Sequence, residues 1–346
     1  MSKSVIATGD TLAKKVFDEK LFRDSLKDTK FGSSMMSKSG DKPIYVKEDL
    51  EKEKGESMVF GLRMRATGAG QTGDATLEGN EEALTFYNLT VTLDKYRHAI
   101  RDEGELSRQR PAFDLEDEMV QAIKGWGTEK LDQLVFDALG IGENPVSNPT
   151  KVFYKTSAGV LAGSAATAKA ALTAADSKVT PGMVMAIKAW AKTGGDRAYV
   201  PIRPIMDGGK KYFHLITHDD SLYDLKVDST YQQFLRDAEV RGKDNPLFTG
   251  AVAIIDSVII DENEKCDIAT DGGGASVAWC KASFFGQQAV CWAWGKRPKL
   301  IERDFDYGDE LGKAWRIIAG VKRSAFNSLD YGSVGVWLAR SNIAGL

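Results

Sequence analysis

The sequence feature that most constrains the fold is the segment from Pro111 to Gly140, in which apolar side chains recur every three or four residues. This spacing places them on one side of a single α-helix, which would be roughly 40 Å long at about 1.5 Å per residue. Pro111 and Asp114 are typical of a helix start, and Gly140 is typical of a helix end. The predicted apolar stripe consists of Leu115, Met119, Ala122, Ile123, Trp126, Leu131, Leu134, Val135 and Ala138.

Two glycines, Gly125 and Gly127, lie inside this helix, and each costs about 1 kcal/mol relative to alanine. By periodicity alone, a core helix of an α/β enzyme is the favoured interpretation. The segments on either side of the helix argue for a different class of protein.

The composition of the chain excludes several classes of protein. Its 346 residues suffice for one large core or for two to three lobes, and its net charge of −3 argues against a dedicated nucleic-acid-binding protein, which would normally be basic. The sequence has no apolar run of roughly 18 residues and no signal-peptide pattern, so we predict no membrane span. Cys266, Cys280 and Cys291 are odd in number and lack CxxC spacing, which predicts free thiols rather than disulfides or a metal site.

The first part of the chain, residues 1–32, is predicted to form an arm. Thr11 can cap a helix whose apolar face includes Phe17 and Phe22. Because the segment is too short to fold alone, the arm must pack on the body of its own chain or on a neighbouring one. A polar stretch follows, with a short strand-like patch at 43–46.

A projecting hairpin is predicted next. Residues 57–65 and 84–93 have the alternation and the Thr, Tyr, Phe and Val content of β-strands. The segment between them is first glycine-rich and then acidic. Two strands joined by a long mobile tip have exposed edges, which are a liability for an isolated monomer. We therefore expect another subunit to cover the hairpin.

The remainder of the chain mixes helical and strand-like segments without regular βαβ alternation. This pattern predicts an α+β fold and argues against a doubly wound nucleotide-binding fold. Residues 96–109 are predicted to lead into the long helix, and residues 271–275 to form a loop. The predicted helices lie at 158–175, 181–193 and 230–240, and the predicted strands at 198–206, 211–218, 247–261, 289–294, 315–321 and 334–339.

No motif in the sequence supports a catalytic, cofactor-binding or metal-binding site. His214 and His218 form HLITH, which lacks the Glu of the HExxH zinc motif, so a structural role is favoured for both. The loop from Gly68 to Asp74 lacks the Lys-Ser/Thr pair of a phosphate-binding loop. The acidic run 304–309 lacks the ligand spacing of a calcium loop. No class of enzyme therefore gains support.

Large aromatic residues concentrate late in the chain. They are typical of a stacking platform for nucleic acid, or of a protein core or subunit interface. The net negative charge of the chain favours a core or an interface. The residues are Trp279, Trp292, Trp294, Trp315, Trp337, Tyr307 and Tyr331.

Five segments, taken in combination, resemble the major capsid protein of short-tailed bacteriophages related to phage N-four. The resemblance covers most of residues 57–340, whereas the arm and residues 158–175 match it poorly. It implies the Hong Kong 97-type capsid fold. The segments are LEGNEEAL (77–84), SRQRPAFDLEDE (107–118), NPLFTGAVAIIDSVIIDE (245–262), FDYGDELG (305–312) and AGVKRSAFNSLDYGSVGV (319–336).

The resemblance also implies a domain organisation. In the Hong Kong 97-type fold an N-terminal arm lies across neighbours, an extended loop reaches over an adjacent subunit, and a long helix is the spine of the peripheral domain. An axial domain gathers at the five-fold and six-fold centres. The implied ranges are an arm at 1–56, an extended loop at 57–106, the peripheral domain with its spine helix at 107–142, the axial domain at 143–290 and a return to the peripheral domain at 291–346.

The function implied by the resemblance is self-assembly, as pentamers and hexamers, into the icosahedral shell around a double-stranded DNA genome. The protein would belong to the virion and assemble in the host cytoplasm, with no cofactor and no membrane. A scaffolding protein, expected as a separate chain, and a portal are implied partners, a decoration protein is an optional one, and contact with DNA would be weak and non-specific. The hypothetical interface residues are Phe17, Phe22, Gly68, Gly70, Gly73, Glu78, Glu81 and Glu82.

Two other functions stay open at this stage. One is a soluble cytoplasmic enzyme with an unrecognised site in the 143–290 lobe, near His214, His218 and Asp219. The other is a head decoration protein, although such proteins are usually smaller and lack the spine helix.

Overall fold

The computed structural model describes residues 31–49, 55–64, 66, 68–73, 76–109, 114–193, 201–207, 209–237, 254–274 and 276–341. The predicted arm helix, with Phe17 and Phe22, lies outside the described residues. So do Pro111 and the first part of the strand predicted at 247–261.

The described residues form short and long helices that alternate with strands. The helices are α1 (Glu105–Gln109), α2 (Leu115–Leu139), α3 (Ala165–Ala171), α4 (Pro181–Thr193), α5 (Asp219–Val227) and α6 (Ser229–Asp237). The strands of the first half are β1 (Met36–Ser37), β2 (Ile44–Lys47), β3 (Ser57–Arg63), β4 (Phe86–Thr92), β5 (Asp94–Arg101), β6 (Val152–Thr156), β7 (Gly159–Gly163), β8 (Ile205–Asp207) and β9 (Lys210–Thr217). The later strands are β10 (Ile254–Ile255), β11 (Val258–Glu262), β12 (Ile268–Gly272), β13 (Val277–Phe285), β14 (Val290–Phe305), β15 (Glu310–Arg323), β16 (Ala325–Phe326), β17 (Leu329–Asp330) and β18 (Ser333–Ala339).

The long helix predicted from the apolar stripe is confirmed as α2. The Asp114 side chain accepts a hydrogen bond from the backbone N–H of Glu116, and Gly140 ends the helix in the left-handed conformation with φ +81°. Within this stripe, Met119, Ile123 and the residues of the last two turns are buried. Ala122 was predicted in the stripe but is exposed, because it lies at the edge of the buried face.

Helix α2 packs on a five-stranded sheet of order β1-β2-β14-β15-β5. Trp126 of the helix meets Trp315 of β15 edge to face, with ring centroids 5.4 Å apart. Strands β14 and β15 form a long antiparallel hairpin that turns at Asp306–Gly308. The strands predicted at 289–294 and 315–321 are thus only parts of much longer ones. The prediction for residues 96–109 was also incomplete, because β5 pairs with β15 before the chain turns into α1.

The second sheet has nine strands. Its main order is β10-β11-β9-β13-β18-β6-β7, with β12 paired to β13 and β8 paired to β9. The last strand, β18, pairs with β13 from Trp279↔Ala339 to Phe285↔Ser333. The domain division implied by the resemblance placed residues 291–346 together, but this strand lies in the nine-stranded sheet. Helix α4 packs on the same sheet through Met183, Val184 and Ile187.

Several local predictions were confirmed and two were wrong. Helix α4, helix α6 and the hairpin of β8 with β9 lie where they were predicted, but β8 is short: residues 201–204 of the strand predicted at 198–206 are not in a strand. Residues 158–175 were predicted to be helical, but β7 pairs with β6 and only the short α3 follows, since Gly159 takes φ +117° and strand pairing overrides the alanine content. Residues 271 and 272 were predicted to lie in a loop, but they end β12; the turn is made by Gly273 and Gly274, both with positive φ.

The late tryptophans lie in the cores, so the core interpretation is confirmed for them, whereas Tyr307 of the same predicted group is fully exposed in the turn between β14 and β15. Trp292, Trp294 and Trp315 face α2, and Trp279 stacks on Trp337 with centroids 4.7 Å apart. All three cysteines are free thiols, as predicted, and the structure places all three in buried positions. Within the described residues, no helix is both long and apolar enough to span a membrane.

The two glycines of α2 provide a matched test of this packing. A Cβ at Gly127 would lie 2.9 Å from the Trp315 ring, whereas nothing lies within 4 Å of a Cβ at Gly125. We expect Gly125→Ala to raise the free energy of unfolding by up to about 1 kcal/mol, because alanine favours the helix. We expect Gly127→Ala to lower it by about 1–2 kcal/mol, because overpacking against the indole outweighs that gain. Urea denaturation of the unassembled chain measures both, and equal effects would contradict the packing described.

Candidate subunit interface

The predicted hairpin is confirmed, and its base lies on the five-stranded sheet rather than projecting freely. Strands β3 and β4 pair from Ser57↔Thr92 to Arg63↔Phe86. The sheet is covered on both faces here, by α2 on one side and by the hairpin on the other. Successive residues of β14 point in opposite directions and therefore contact the two layers in turn. Trp292 and Trp294 face α2, while Cys291 and Ala293 face the hairpin.

The inner face of the hairpin is apolar and buried. Met58, Phe60, Leu89 and Val91 are buried and belong to the same cluster as Cys291, Ala293 and Phe326. The approach is close at Gly320 of β15, where a Cβ would lie 2.3 Å from the Thr92 carbonyl oxygen. Glycine is therefore required at this position, because any side chain would push the hairpin off the sheet.

The outer face of the hairpin and its tip are exposed. Val59 is 52% exposed and Phe86 is 65% exposed, although both belong to regular strands. In the tip, Leu77 and Leu84 are 62% and 56% exposed. Single exposed apolar residues are ordinary, but four on one projecting element indicate a contact surface.

Hydrogen bonds within the tip join some of its backbone groups to its own carboxylates. The backbone N–H of Gly68 donates to the Glu82 carboxylate at 2.7 Å, and that of Gly79 donates to the Glu81 carboxylate at 2.8 Å. Gly70 and Gly73 take positive φ, and nothing lies within 4 Å of a Cβ at either. The structure thus brings together Gly68 and Glu82 of the predicted interface residues, and it leaves Gly70, Gly73 and Glu78 exposed.

Cys291 lies beneath the hairpin, so the reactivity of its thiol depends on whether the hairpin is packed on the sheet. Burial raises the pKa of its thiol to about 11, partly offset by the Ser324 hydroxyl at 3.3 Å from Sγ. The thiol is therefore neutral and unreactive near neutral pH. The sequence indicated a free thiol here but gave no signal of this location.

A network of charged and polar groups joins α1 to the turn between β14 and β15. Arg108 of α1 donates to the backbone oxygen of Asp309 at 2.7 Å, and the Asp309 carboxylate accepts from the Glu105 N–H at 3.0 Å. Asp102, which is buried, accepts from the Leu311 N–H at 2.6 Å and lies 3.4 Å from Arg108. Asp309, which belongs to the acidic run 304–309, therefore forms hydrogen bonds with α1 of its own chain. Sequence reasoning missed this network, because its partners are about 200 residues apart.

The residues considered for an enzyme site have structural partners. The Nδ1 atom of His214 lies 3.2 Å from the Asp261 carboxylate, and its ring stacks on Phe285. His218 caps α5 by accepting from the Asp220 N–H at 3.2 Å. Both histidines thus take part in contacts that hold the fold, in keeping with the structural role predicted for them. Burial and the nearby Glu262 raise the pKa of Asp219. Among the residues that the structure describes, no group of three or more His, Cys, Asp and Glu side chains is placed to hold a metal ion.

Comparison with known proteins identifies the family of this chain. The sequence matches the phage capsid protein family over residues 5–336. It is 30% identical to the major capsid protein of Pseudomonas phage KPP25, over 83% of this chain and 84% of that protein. The fold matches the capsid of Ralstonia phage GP4 with a TM-score of 0.76 and 24% identity, covering 99% of both chains. It matches the capsid asymmetric unit of cyanophage Pam1 with a TM-score of 0.77 and 23% identity, covering 92% of this chain and 93% of that one.

The spine helix, the hairpin and the two sheets thus define a capsid subunit with the Hong Kong 97-type fold. The chain belongs to the phage capsid protein family. It is a bacteriophage major capsid protein, a structural component of the virion that assembles with copies of itself into the capsid shell.

The packing beneath the hairpin predicts how Cys291 responds to mutation. Phe60→Ala removes a fully buried ring at the hairpin base. We therefore expect the packing of the hairpin on the five-stranded sheet to become less favourable by about 3–5 kcal/mol. Alkylation of Cys291 by iodoacetamide, followed by peptide mass spectrometry, should become much faster. Val59→Ala is the matched control, because Val59 is on the same strand but faces outward, and its effect should stay within about 0.5 kcal/mol. Equal alkylation rates in the two variants would show that the hairpin does not protect Cys291.

Proposed function

We propose that this capsid protein builds an icosahedral head shell as pentamers and hexamers around a double-stranded DNA genome, and that it has no enzymatic activity. The observation that carries the proposal is the asymmetry of the hairpin. Its inner face is packed on its own chain, whereas Val59, Phe86, Leu77 and Leu84 remain exposed in the single chain. A neighbouring copy that covers this surface buries its apolar side chains and shields its free strand edges.

A shell of identical chains requires each subunit to fit pentameric and hexameric surroundings with one sequence. The body of the protein, in which α2 and the five-stranded sheet share a core, supplies the constant part. The tip supplies the adaptable part, because its glycines leave the backbone free to change. We propose Gly68, Gly70, Gly73, Glu78, Glu81 and Glu82 as interface residues on this basis.

The domain assignment is likewise a proposal. The arm corresponds to 1–56, the extended loop to 57–106, the peripheral domain to 107–142, the axial domain to 143–290 and the peripheral return to 291–346. Strand pairing supports two refinements. Strand β5 belongs with the peripheral sheet, and β18 belongs with the nine-stranded sheet of the axial domain.

The remaining partners follow from the same proposal. A separate scaffolding protein and a portal are expected, a decoration protein is optional, and assembly takes place in the host cytoplasm. Contact with packaged DNA is weak and without sequence preference, in keeping with the net charge of −3. The segments quoted from the sequence support placing the phage among short-tailed relatives of phage N-four.

The exposed apolar residues of the tip give the first test of self-association. Leu77→Asn and Leu84→Asn together should reduce the capsomer fraction of the purified chain in gel filtration and electron microscopy, because they remove apolar area that a neighbour would cover. The thermal unfolding of the unassembled chain should not change, since both side chains are exposed. Val146→Asn is the control, because Val146 is 61% exposed in the linker after α2.

Two results would count against the proposal. A wild-type chain that elutes only as a small defined oligomer at all concentrations would favour an enzyme. Regular shells of uniform size from this chain alone would contradict the need for a separate scaffolding protein.

A further inference from the structure

An open pocket lies between helix α4, the start of β9 and the hairpin of β10 with β11. Its volume is about 530 Å³. Pockets that hold small organic ligands measure about 300–1,000 Å³, so this one is large enough for a molecule the size of a nucleotide. We call it the lysine pocket, because lysines from two separate elements line it.

Three of these lysines give the pocket a free positive charge. Lys192 comes from the last turn of α4, and Lys210 and Lys211 come from the start of β9. All three are exposed, and among the described residues none of them forms an ion pair. A concave site lined by charges of one sign focuses the electric field and raises the local concentration of oppositely charged ligands. A chain with a net charge of −3 has therefore gathered a positive site here.

The fourth lysine, Lys188, shapes the wall of the pocket. It is buried, and its ammonium group donates to the Asp256 carboxylate at 2.5 Å and also to the backbone oxygen of Asp256. Asp256 and Ser257 form the turn between β10 and β11 with φ of +46° and +63°, a conformation that few residues other than glycine adopt. The ion pair holds this turn and uses the charge of Asp256, so that carboxylate does not compensate the three exposed lysines.

The remaining wall of the pocket is partly apolar. Ile254 of β10 lines it and is 62% exposed, and Tyr212 and Phe213 line it beside Lys211. Solvation of the surface explains exposed lysines but not an exposed isoleucine among them. A nucleotide has both parts that this wall matches. Its phosphate suits the compact charge of a lysine ammonium group, and its base has flat faces that pack on aromatic and apolar side chains.

We propose that the lysine pocket binds a nucleotide, with the phosphate on Lys192, Lys210 and Lys211 and the base against Tyr212 and Ile254. The inference goes beyond the proposed shell, and it requires only the single chain. The same phosphate chemistry is present in a free nucleotide and in the backbone of DNA. The pocket is defined by that shared chemistry, and the experiments below separate the two sources.

The first experiment is calorimetric titration of the full-length, unassembled chain with dATP in the absence of magnesium. Saturable binding should occur at about 0.1 M salt and weaken at about 1 M, where the screening length falls to about 3 Å. Deoxyadenosine, which has the same base but no phosphate, should show no saturation over the same concentrations, because the cations supply most of the attraction.

Lysine variants locate the site. Lys210→Gln with Lys211→Gln should weaken the binding of dATP at least roughly tenfold, because it removes two charge-assisted contacts to phosphate. The matched control is Lys226→Gln with Lys296→Gln, which makes the same change in net charge at exposed positions outside the pocket. The control should bind dATP as the wild type does, and both variants should keep the wild-type melting temperature.

Substitution of Ile254 separates a binding role from a structural one. Ile254→Glu places an anion in the pocket and should weaken the binding of dATP, whereas Ile254→Lys adds a cation and should strengthen it. Both changes replace the same exposed side chain, so a merely structural role would shift the affinity in the same direction in the two variants.

Competition with DNA separates the two sources of phosphate. If a duplex of roughly 20 base pairs displaces dATP, and if the variant at Lys210 and Lys211 also weakens binding of the duplex, the pocket takes the phosphates of nucleic acid. If the duplex does not displace dATP, the ligand is a free nucleotide. Either result supports a nucleotide-phosphate site.

Three results would overturn the inference. They are no binding of dATP to the wild type at concentrations up to about 10 mM, equal affinities of the lysine variant and its control, and shifts in the same direction for the two Ile254 variants. None of these measurements involves capsomer formation. The proposed shell function therefore stands or fails separately, by gel filtration and electron microscopy of the wild type.

Discussion

The structure depends on the five-stranded sheet being packed on two faces at once. On β14, Trp292 and Trp294 point to the long helix, whereas Cys291 and Ala293 point to the hairpin. Large residues on one face fill the space beneath α2, and small residues on the other let a second pair of strands approach closely. Gly127 of the helix and Gly320 of β15 serve the same purpose, because each admits a neighbour where a side chain would collide. The hairpin can hold a fixed position only because both layers are this close.

A second constraint joins the five-stranded sheet to the linker that follows α2. Arg323, at the end of β15, is buried and lies 2.8 Å from the Asp330 carboxylate. Its other nitrogens donate to the backbone oxygens of Ser147 and Asn148, at 3.0 Å and 2.8 Å, in the linker that follows α2. This buried guanidinium ties two other segments to β15, and loss of the Asp330 carboxylate would leave its charge uncompensated. The linker predicted only as a turn-rich connection is thus held to the end of β15 and to β17.

The sequence predicted those features that depend on local pattern. The spacing of Met119, Ile123 and Leu131 and the caps Asp114 and Gly140 were enough to place α2, and Pro181 after Thr180 was enough to place α4. The pattern failed where pairing between distant segments decided the outcome. Strand β5 exists because β15 pairs with it, and β7 replaced a predicted helix because β6 pairs with it. The row formed by Arg97, Arg316 and Lys299 could not be predicted for the same reason: these cations come from three strands, and only the register makes them neighbours. The capsid fold and function were expected from the resemblance, and the family match and the fold confirmed them.

The uneven covering of the sheet has a mechanical consequence. Counting only the residues that the structure describes, the wall of the subunit is three layers thick where the hairpin lies on the sheet and two layers thick beyond Gly295. Stacked layers are about 10 Å apart, and resistance to flexing rises steeply with thickness. Outward pressure from a tightly filled head would therefore bend each subunit mainly in its thinner half, and a neighbour lying across that half would act as an external brace.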